Sequence, residues 1–350
     1  MKLFTVGPVQ MYPETLKIEG QQLPYFRTPE FSRLMKDIER WFLSSINSPE
    51  RTHFIGLTCS GTGAMDATVA NLLSANDRAL VINGGSFGAR FAQLCAHYKI
   101  PYETYDIPFL QSFQKNEFEK IASGGFTALL VNACDTSTGQ KYDLDYLGDF
   151  CVRHGLLFIV DAVSAYLADP IDMTKQHIDV LMTASQKALA LAPGVALVAL
   201  SENAMAHLGN GRGAYYFNFK SYIDNQQRGQ PPFTSAVGTM LALHQRLEDL
   251  MKEGIEQINA LHAKRAFYFR KLIQALPLHV PNIPLSNCCT PVIFPKENAM
   301  DIYEALKEKY NIFLTPSGGA WKNKQLRVGH LGNLTLRDYD DLMEKLRGEL

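Results

Sequence analysis

Asp161 and Lys187 are the residues around which chemistry can be built, because each follows an apolar run. Leu156 to Val160 is a short continuous run of the kind that forms a strand covered on both faces, and it stops at Asp161. The acid is therefore expected at the carboxyl edge of a sheet. Ile178 to Met182 is a second run, followed by Thr183-Ala184-Ser185-Gln186, then Lys187 and the apolar-rich stretch Ala188 to Leu200. This setting predicts a desolvated lysine. Desolvation lowers an amine's pKa and makes it a nucleophile toward carbonyls, as a Schiff-base lysine requires. Singly, an Asp after a strand also serves as an N-cap and a Lys as a solvated charge. The two in this order carry the functional reading.

Elements to hold such a pair are legible on either side. Phe54 to Thr58, Ala79 to Ile82 and Thr127 to Val131 read as further strands, and Asp143 to His154 as a helix leading into the Asp161 strand. This alternation, from about residue 54 to 200, predicts an α/β fold with a parallel-rich sheet and helices on both faces. Ligands in such sheets lie at the carboxyl ends of the strands. Pro29 predicts the start of a helix over Phe31 to Ile46 with Thr28 as its N-cap.

Three loops add donors. Cys59-Ser60-Gly61-Thr62-Gly63 turns from a strand into a helix and can cradle an anion with free backbone N–H groups, hydroxyls and the helix dipole. Phe87 sits in a glycine-rich turn and is available to stack on a flat ligand, with a helix expected from Phe91 to Tyr98. Arg90 reads as a structural ion-pair partner. Asn132 to Gly139 ends another strand with hydroxyls that serve either the loop or a ligand. Arg327, between Leu326 and Val328, needs a partner because an unpaired buried guanidinium is costly. Arg27, just before a helix cap, can reach an anionic substrate group or bridge to a surface carboxylate.

Composition excludes several classes. The 350 residues, 46% hydrophobic and 20% charged, are enough for a large core, and a formal charge of −1 with both signs mixed argues against nucleic acid or an acidic membrane surface. Neither a signal peptide nor a membrane span is expected, since the N-terminal segment has no apolar core and Ala188 to Leu200 is short and broken by Pro193-Gly194. Cys59, Cys95, Cys134, Cys151, Cys288 and Cys289 lack C-x-x-C spacing, so free thiols in a cytoplasmic protein without a metal site are expected.

A strand ending in Asp161 followed by Ser185-Gln186-Lys187, with Ser60-Gly61-Thr62 upstream and Arg327-Val328-Gly329-His330-Leu331-Gly332 downstream, resembles the class V aminotransferases. These are fold type I enzymes dependent on pyridoxal 5'-phosphate (PLP), and the resemblance covers essentially the whole chain. It implies a three-layer PLP transferase fold with a mostly parallel central sheet plus a smaller C-terminal α/β domain. It further implies that Lys187 carries the cofactor and Asp161 pairs with its pyridinium nitrogen. Ser60, Gly61 and Thr62 would contact the phosphate, Phe87 stack on the ring where many relatives have Trp or Tyr, Thr136 bond the phenolic oxygen, and Gln186 add a contact. Arg327 would bind a substrate carboxylate, Gly7 in the Gly-Pro arm would line the substrate entrance, and Thr234, after Pro231-Pro232-Phe233, would reach the other subunit of a homodimer. Relatives with a Tyr three residues before that Thr differ here, where Pro231 stands.

The expected division is an arm over 1–20, a large PLP-binding domain over 21–250 and a small domain over 251–350. The glycine- and aromatic-rich connection from Gly209 to Thr234 is expected to pack on a partner. The implied activity is ping-pong transamination from a small amino acid of alanine or serine type to pyruvate or glyoxylate, with 2-aminoethylphosphonate as the alternative donor. A PLP lyase such as a cysteine desulfurase is the alternative of another class; desulfurases of this fold typically have His before the lysine and a catalytic Cys on a flexible loop. Gln186 and the strand-like setting of Cys288-Cys289 depart from that pattern.

Overall fold

The computed structural model describes every residue except Ala122, Ser123, Asn210 and Arg212. Seven strands form the central sheet in the order His53–Leu57, Ala196–Leu200, Val180–Ala184, Leu157–Asp161, Ala128–Asn132, Ala79–Asn83, Tyr102–Asp106. Ala196–Leu200 runs antiparallel to both its neighbours, and every other pair is parallel. Each predicted apolar run becomes a strand because both faces are covered. Phe158 and Val160 enter one apolar cluster while Leu157 and Ile159 enter the other. The edge strand Tyr102–Asp106 escaped sequence reasoning because it is largely exposed and has no apolar run.

Helices pack on both faces. Pro29–Ser45 begins as expected, with Thr28 Oγ1 accepting from the Phe31 N–H at 3.3 Å. Leu144–His154 is capped by Asp143, whose carboxylate accepts from the Tyr146 N–H at 3.1 Å. Ser86–Tyr98 starts earlier than Phe91, so Phe87 lies in a helix's first turn rather than in the preceding loop. The Gly209 to Thr234 connection contains the helix Phe219–Gln226; Asn210 and Arg212 within it lie outside the described residues.

A third apolar cluster joins Phe269, Leu326, Val328, Tyr339 and Leu342 around the three-stranded sheet Cys289–Ile293, Gln325–Gly329, Thr315–Pro316. Phe4 belongs to this cluster, and Lys2–Leu3 pairs in parallel with Ile312–Phe313. Pro13–Glu19 is a helix packed on Val237–Glu253. The segment before Pro13 is irregular apart from Lys2–Leu3, and the strand and the helix fasten the first twenty residues to the C-terminal part and the long helix. Among the described residues no helix is long and apolar enough to cross a membrane.

Candidate active site

The carboxyl ends of the parallel strands enclose a cavity of ≈ 260 Å³ lined by Gly7, Ser60, Gly61, Thr62, Phe87, Cys134, Thr136, Asp161, Ser164, Gln186 and Lys187, among others. A larger groove of ≈ 1120 Å³ lies elsewhere, lined in part by Lys115, Lys175, Asp143 and Asp145. Its lysines are paired with carboxylates, Lys115 with Asp143, Lys175 with Asp145 and Lys141 with Asp169, which leaves it, among the described residues, no free lysine to offer an anion.

Lys187 is 8% exposed, and its Nζ donates to the Val6 carbonyl at 2.5 Å. Burial lowers its pKa, so the neutral, nucleophilic amine is favoured as expected. Asp161 faces it from the neighbouring parallel strand. Its Oδ2 accepts from Asn132 Nδ2 at 2.6 Å and its Oδ1 from the Val163 N–H at 2.8 Å. Burial nonetheless pushes this carboxyl up to about 6, against the pull of both bonds. A cation placed at its free lone pairs would return it to the charged form.

The loop at 60–62 is built for an anion. Ser60 has N-cap backbone geometry but makes no side-chain cap bond, unlike Thr28, Asp143, Asn218 and Thr335. Its hydroxyl and the first N–H groups of Gly61–Leu72 are left for a ligand. A Cβ on Gly61 would lie 2.7 Å from Val163 Cγ2, so glycine is what lets the loop close on the strand that carries Asp161. Thr62 Oγ1 accepts from Arg90 Nη1 at 2.8 Å, and the same guanidinium stacks 5.1 Å from the Phe87 ring. Arg90 therefore braces the loop and the ring, where an ion pair with a carboxylate was expected.

Thr136 Oγ1 and Ser164 Oγ are 2.7 Å apart at the cavity wall, and Gln186 Oε1 is buried there with no partner. Arg327 donates through Nη1 to the Thr136 carbonyl at 2.8 Å and through Nη2 to the Pro316 carbonyl at 2.9 Å. Its Nε is buried without an acceptor. Arg327 does not itself line the cavity and is tied to its wall through the Thr136 carbonyl. Gly7 is drawn against Lys187, as described below. Thr234 is exposed and does not line the cavity of its own chain.

Arg27 is a correction. Its guanidinium donates to Gln230 Oε1 and to the carbonyls of Pro231 and Pro232 at 3.3, 2.6 and 3.2 Å, and does not line the cavity. It anchors the segment before Thr234 rather than meeting substrate. Sequence reasoning missed Asn132 and Ser164 as partners of Asp161 and Thr136. Asn132 was detectable in principle, as the polar residue ending the adjacent strand in register with Asp161.

The family model for aminotransferase class-V matches residues 27–320. The chain belongs to the class-V aminotransferases. Relatives include the alanine–glyoxylate aminotransferase of Callithrix jacchus, 28% identical over 98% of this chain and 86% of that one. The L-aspartate–glyoxylate aminotransferase of Paracoccus denitrificans is 25% identical over 95% and 87%. A crystal structure of alanine–glyoxylate aminotransferase from Nostoc sp. superposes with a TM-score of 0.93 at 24% identity, covering 99% of this chain and 94% of that one, and so shares the fold.

Class-V aminotransferases depend on PLP, and the residues present fit it. An uncapped helix start, a desolvated amine, a carboxyl raised by burial and an orphaned Gln186 Oε1 share one cavity of ≈ 260 Å³. The desulfurase alternative loses its premise. Cys288, in the turn before the strand Cys289–Ile293, and Cys289 within it are both fully buried, unlike a thiol on an exposed flexible loop.

Proposed function

We propose that this aminotransferase moves the amino group of a small neutral amino acid, alanine or serine, to pyruvate or glyoxylate in a ping-pong reaction. The observation that carries this reading is the charge of the cavity: among the described residues Asp161 and Lys187 are the charged groups that line it, with Arg327 bonded to the Thr136 carbonyl in its wall. One carboxylate can be gripped, and no second cation awaits a side-chain acid. The relatives' names support glyoxylate as an acceptor.

Bound PLP supplies a ring that withdraws electrons from the substrate's α-carbon. Lys187 would hold the cofactor's aldehyde carbon and, once displaced, accept and return the α proton at Nζ. Asp161, fixed by Asn132 and the Val163 N–H, would keep a proton on the ring nitrogen. Ser60, Gly61 and Thr62 would bind the phosphate, Phe87 cover one ring face, and Thr136, aligned by Ser164, contact the phenolic oxygen. Gln186 would add a polar contact beside the lysine. Arg327 would orient the α-carboxylate, with Gly7 forming the wall at the substrate entrance. A homodimer in which each Thr234 serves the other chain's phosphate completes the reading, and a cytoplasmic location suits its free thiols.

The test compares alanine, serine, aspartate and 2-aminoethylphosphonate as donors under one set of conditions, with the keto product identified. Alanine or serine should be turned over fastest. Preference for aspartate or the phosphonate would overturn the donor class, and a borohydride-trapped cofactor adduct on a lysine other than Lys187 would overturn the site.

A further inference from the structure

Three of the six cysteines gather at one point although they come from distant parts of the chain. Cys134 Sγ lies 3.4 Å from Cys288 Sγ, which lies 3.6 Å from Cys289 Sγ. Each is held by backbone. Cys134 is in a strand paired with Gln140–Lys141, the Cys288 N–H donates to Ser286 Oγ at 3.0 Å, and the Cys288 carbonyl accepts from the His330 N–H at 2.9 Å. Cys134 is also among the residues that line the active-site cavity, which places this cluster at the cavity wall.

We infer that Cys134 and Cys288 are an oxidant-modifiable dithiol, a site where a peroxide drives a disulfide between the central sheet's side of the cavity and the small domain. The sulfurs need only close from 3.4 Å to the ~2.05 Å of a bond. Hydrogen bonding within the three-thiol cluster holds the Cys288 thiol below its ordinary range and the Cys134 thiol above it, and either sulfur can be the donor across the 3.4 Å contact. When the pair has lost one proton and shares the other along this contact, the form with the remaining proton on Cys288 leaves a Cys134 thiolate, which attacks a peroxide oxygen. The O–O bond breaks, leaving a sulfenic acid and hydroxide. Cys288 then attacks the Cys134 sulfur, the S–S bond forms, the S–O bond breaks and water leaves. Two thiols are oxidised by two electrons, and one peroxide is reduced to the level of two waters.

The cross-link acts on the site through Thr136, two residues beyond Cys134, whose carbonyl holds Arg327. Displacing such groups by about an ångström lowers turnover on the order of tenfold or more. Cys59 is an internal reference, more exposed but with its thiol pushed up to about 12 by its apolar surroundings.

The experiment treats the holoenzyme with limiting hydrogen peroxide, then denatures it in alkylating agent and digests it without reduction. A linked Cys134–Cys288 peptide is expected while Cys59 is recovered alkylated. Turnover should fall and return with dithiothreitol, and Cys288→Ala should keep its own starting activity under the same treatment. A Cys288–Cys289 link, Cys59 oxidised while the pair stays free, or no oxidation of any thiol would overturn the inference. So would equal inactivation of Cys288→Ala. If that variant does not fold, the peptide map of the unaltered chain decides alone.

Discussion

Gly7 and Lys187 touch at a distance that leaves no room for a side chain on the glycine. A Cβ there would lie 2.7 Å from Lys187 Cδ and 2.8 Å from its Cε and Nζ, and the backbone φ of 135° is one that L residues rarely adopt. Gly7→Ala should therefore push the amine off its position rather than unfold the chain. Turnover is expected to fall about a hundredfold, with borohydride trapping at Lys187 reduced in parallel. Unchanged trapping would show that the lysine does not need this wall.

Asp161 carries a pH signature. Its carboxyl is raised from 3.8 to about 6 by burial, so the folded chain holds an extra proton in that window and loses stability as pH rises through it. The cost is about 3 kcal/mol, at 1.36 kcal/mol per unit. Without cofactor, Asp161→Asn should melt higher than the unaltered chain above pH 6 and converge with it near pH 4. With PLP the order should reverse, and turnover of the variant should fall by on the order of a hundredfold. Thermal melts across this range, with and without PLP, read both effects.

Arg327→Lys keeps the charge but not the planar fork that bonds Thr136 and Pro316 together. KM should rise about tenfold or more for amino acid and keto acid alike, with a smaller change in kcat. Steady-state kinetics on both half-reactions would show an effect on one substrate alone if the guanidinium is not the shared carboxylate site.

Thr234 is exposed on its own chain, so its proposed role is testable only between chains. Thr234→Ala should weaken PLP binding by several-fold, about 1 kcal/mol for a lost hydrogen bond. Refolding it with an excess of Lys187→Ala chains should restore tight binding at one site per mixed dimer. Binding titrations that show no recovery would place Thr234 outside the partner's site.

The sheet and its site were legible where burial on two faces wrote a continuous apolar run, as at Leu157–Asp161 and Val180–Ala184. Residues ending such runs fall together because parallel strands present one edge. Ser60, Gly61, Thr62, Phe87, Asp161 and Lys187 stood out from such runs and turns, Thr136 and Gln186 from the family resemblance, and all line one cavity. Direction was not legible, since the apolar period of Ala196–Leu200 is the same whichever way the strand points. Arg27 went wrong for a related reason: a guanidinium's partner lies far along the chain, here at 230–232, and nothing local records it.

Ala196–Leu200 is the sole sheet neighbour of His53–Leu57, the strand that delivers the 60–62 loop. The strand before that loop is thus paired across a long stretch of chain, and Lys2–Leu3 with Ile312–Phe313 across a longer one still. The long closure between these strands makes their pairing a late event. Chains stopped before residue 200 would have the helix start but no dock for it. Anion binding at the 60–62 loop would therefore wait on that late pairing.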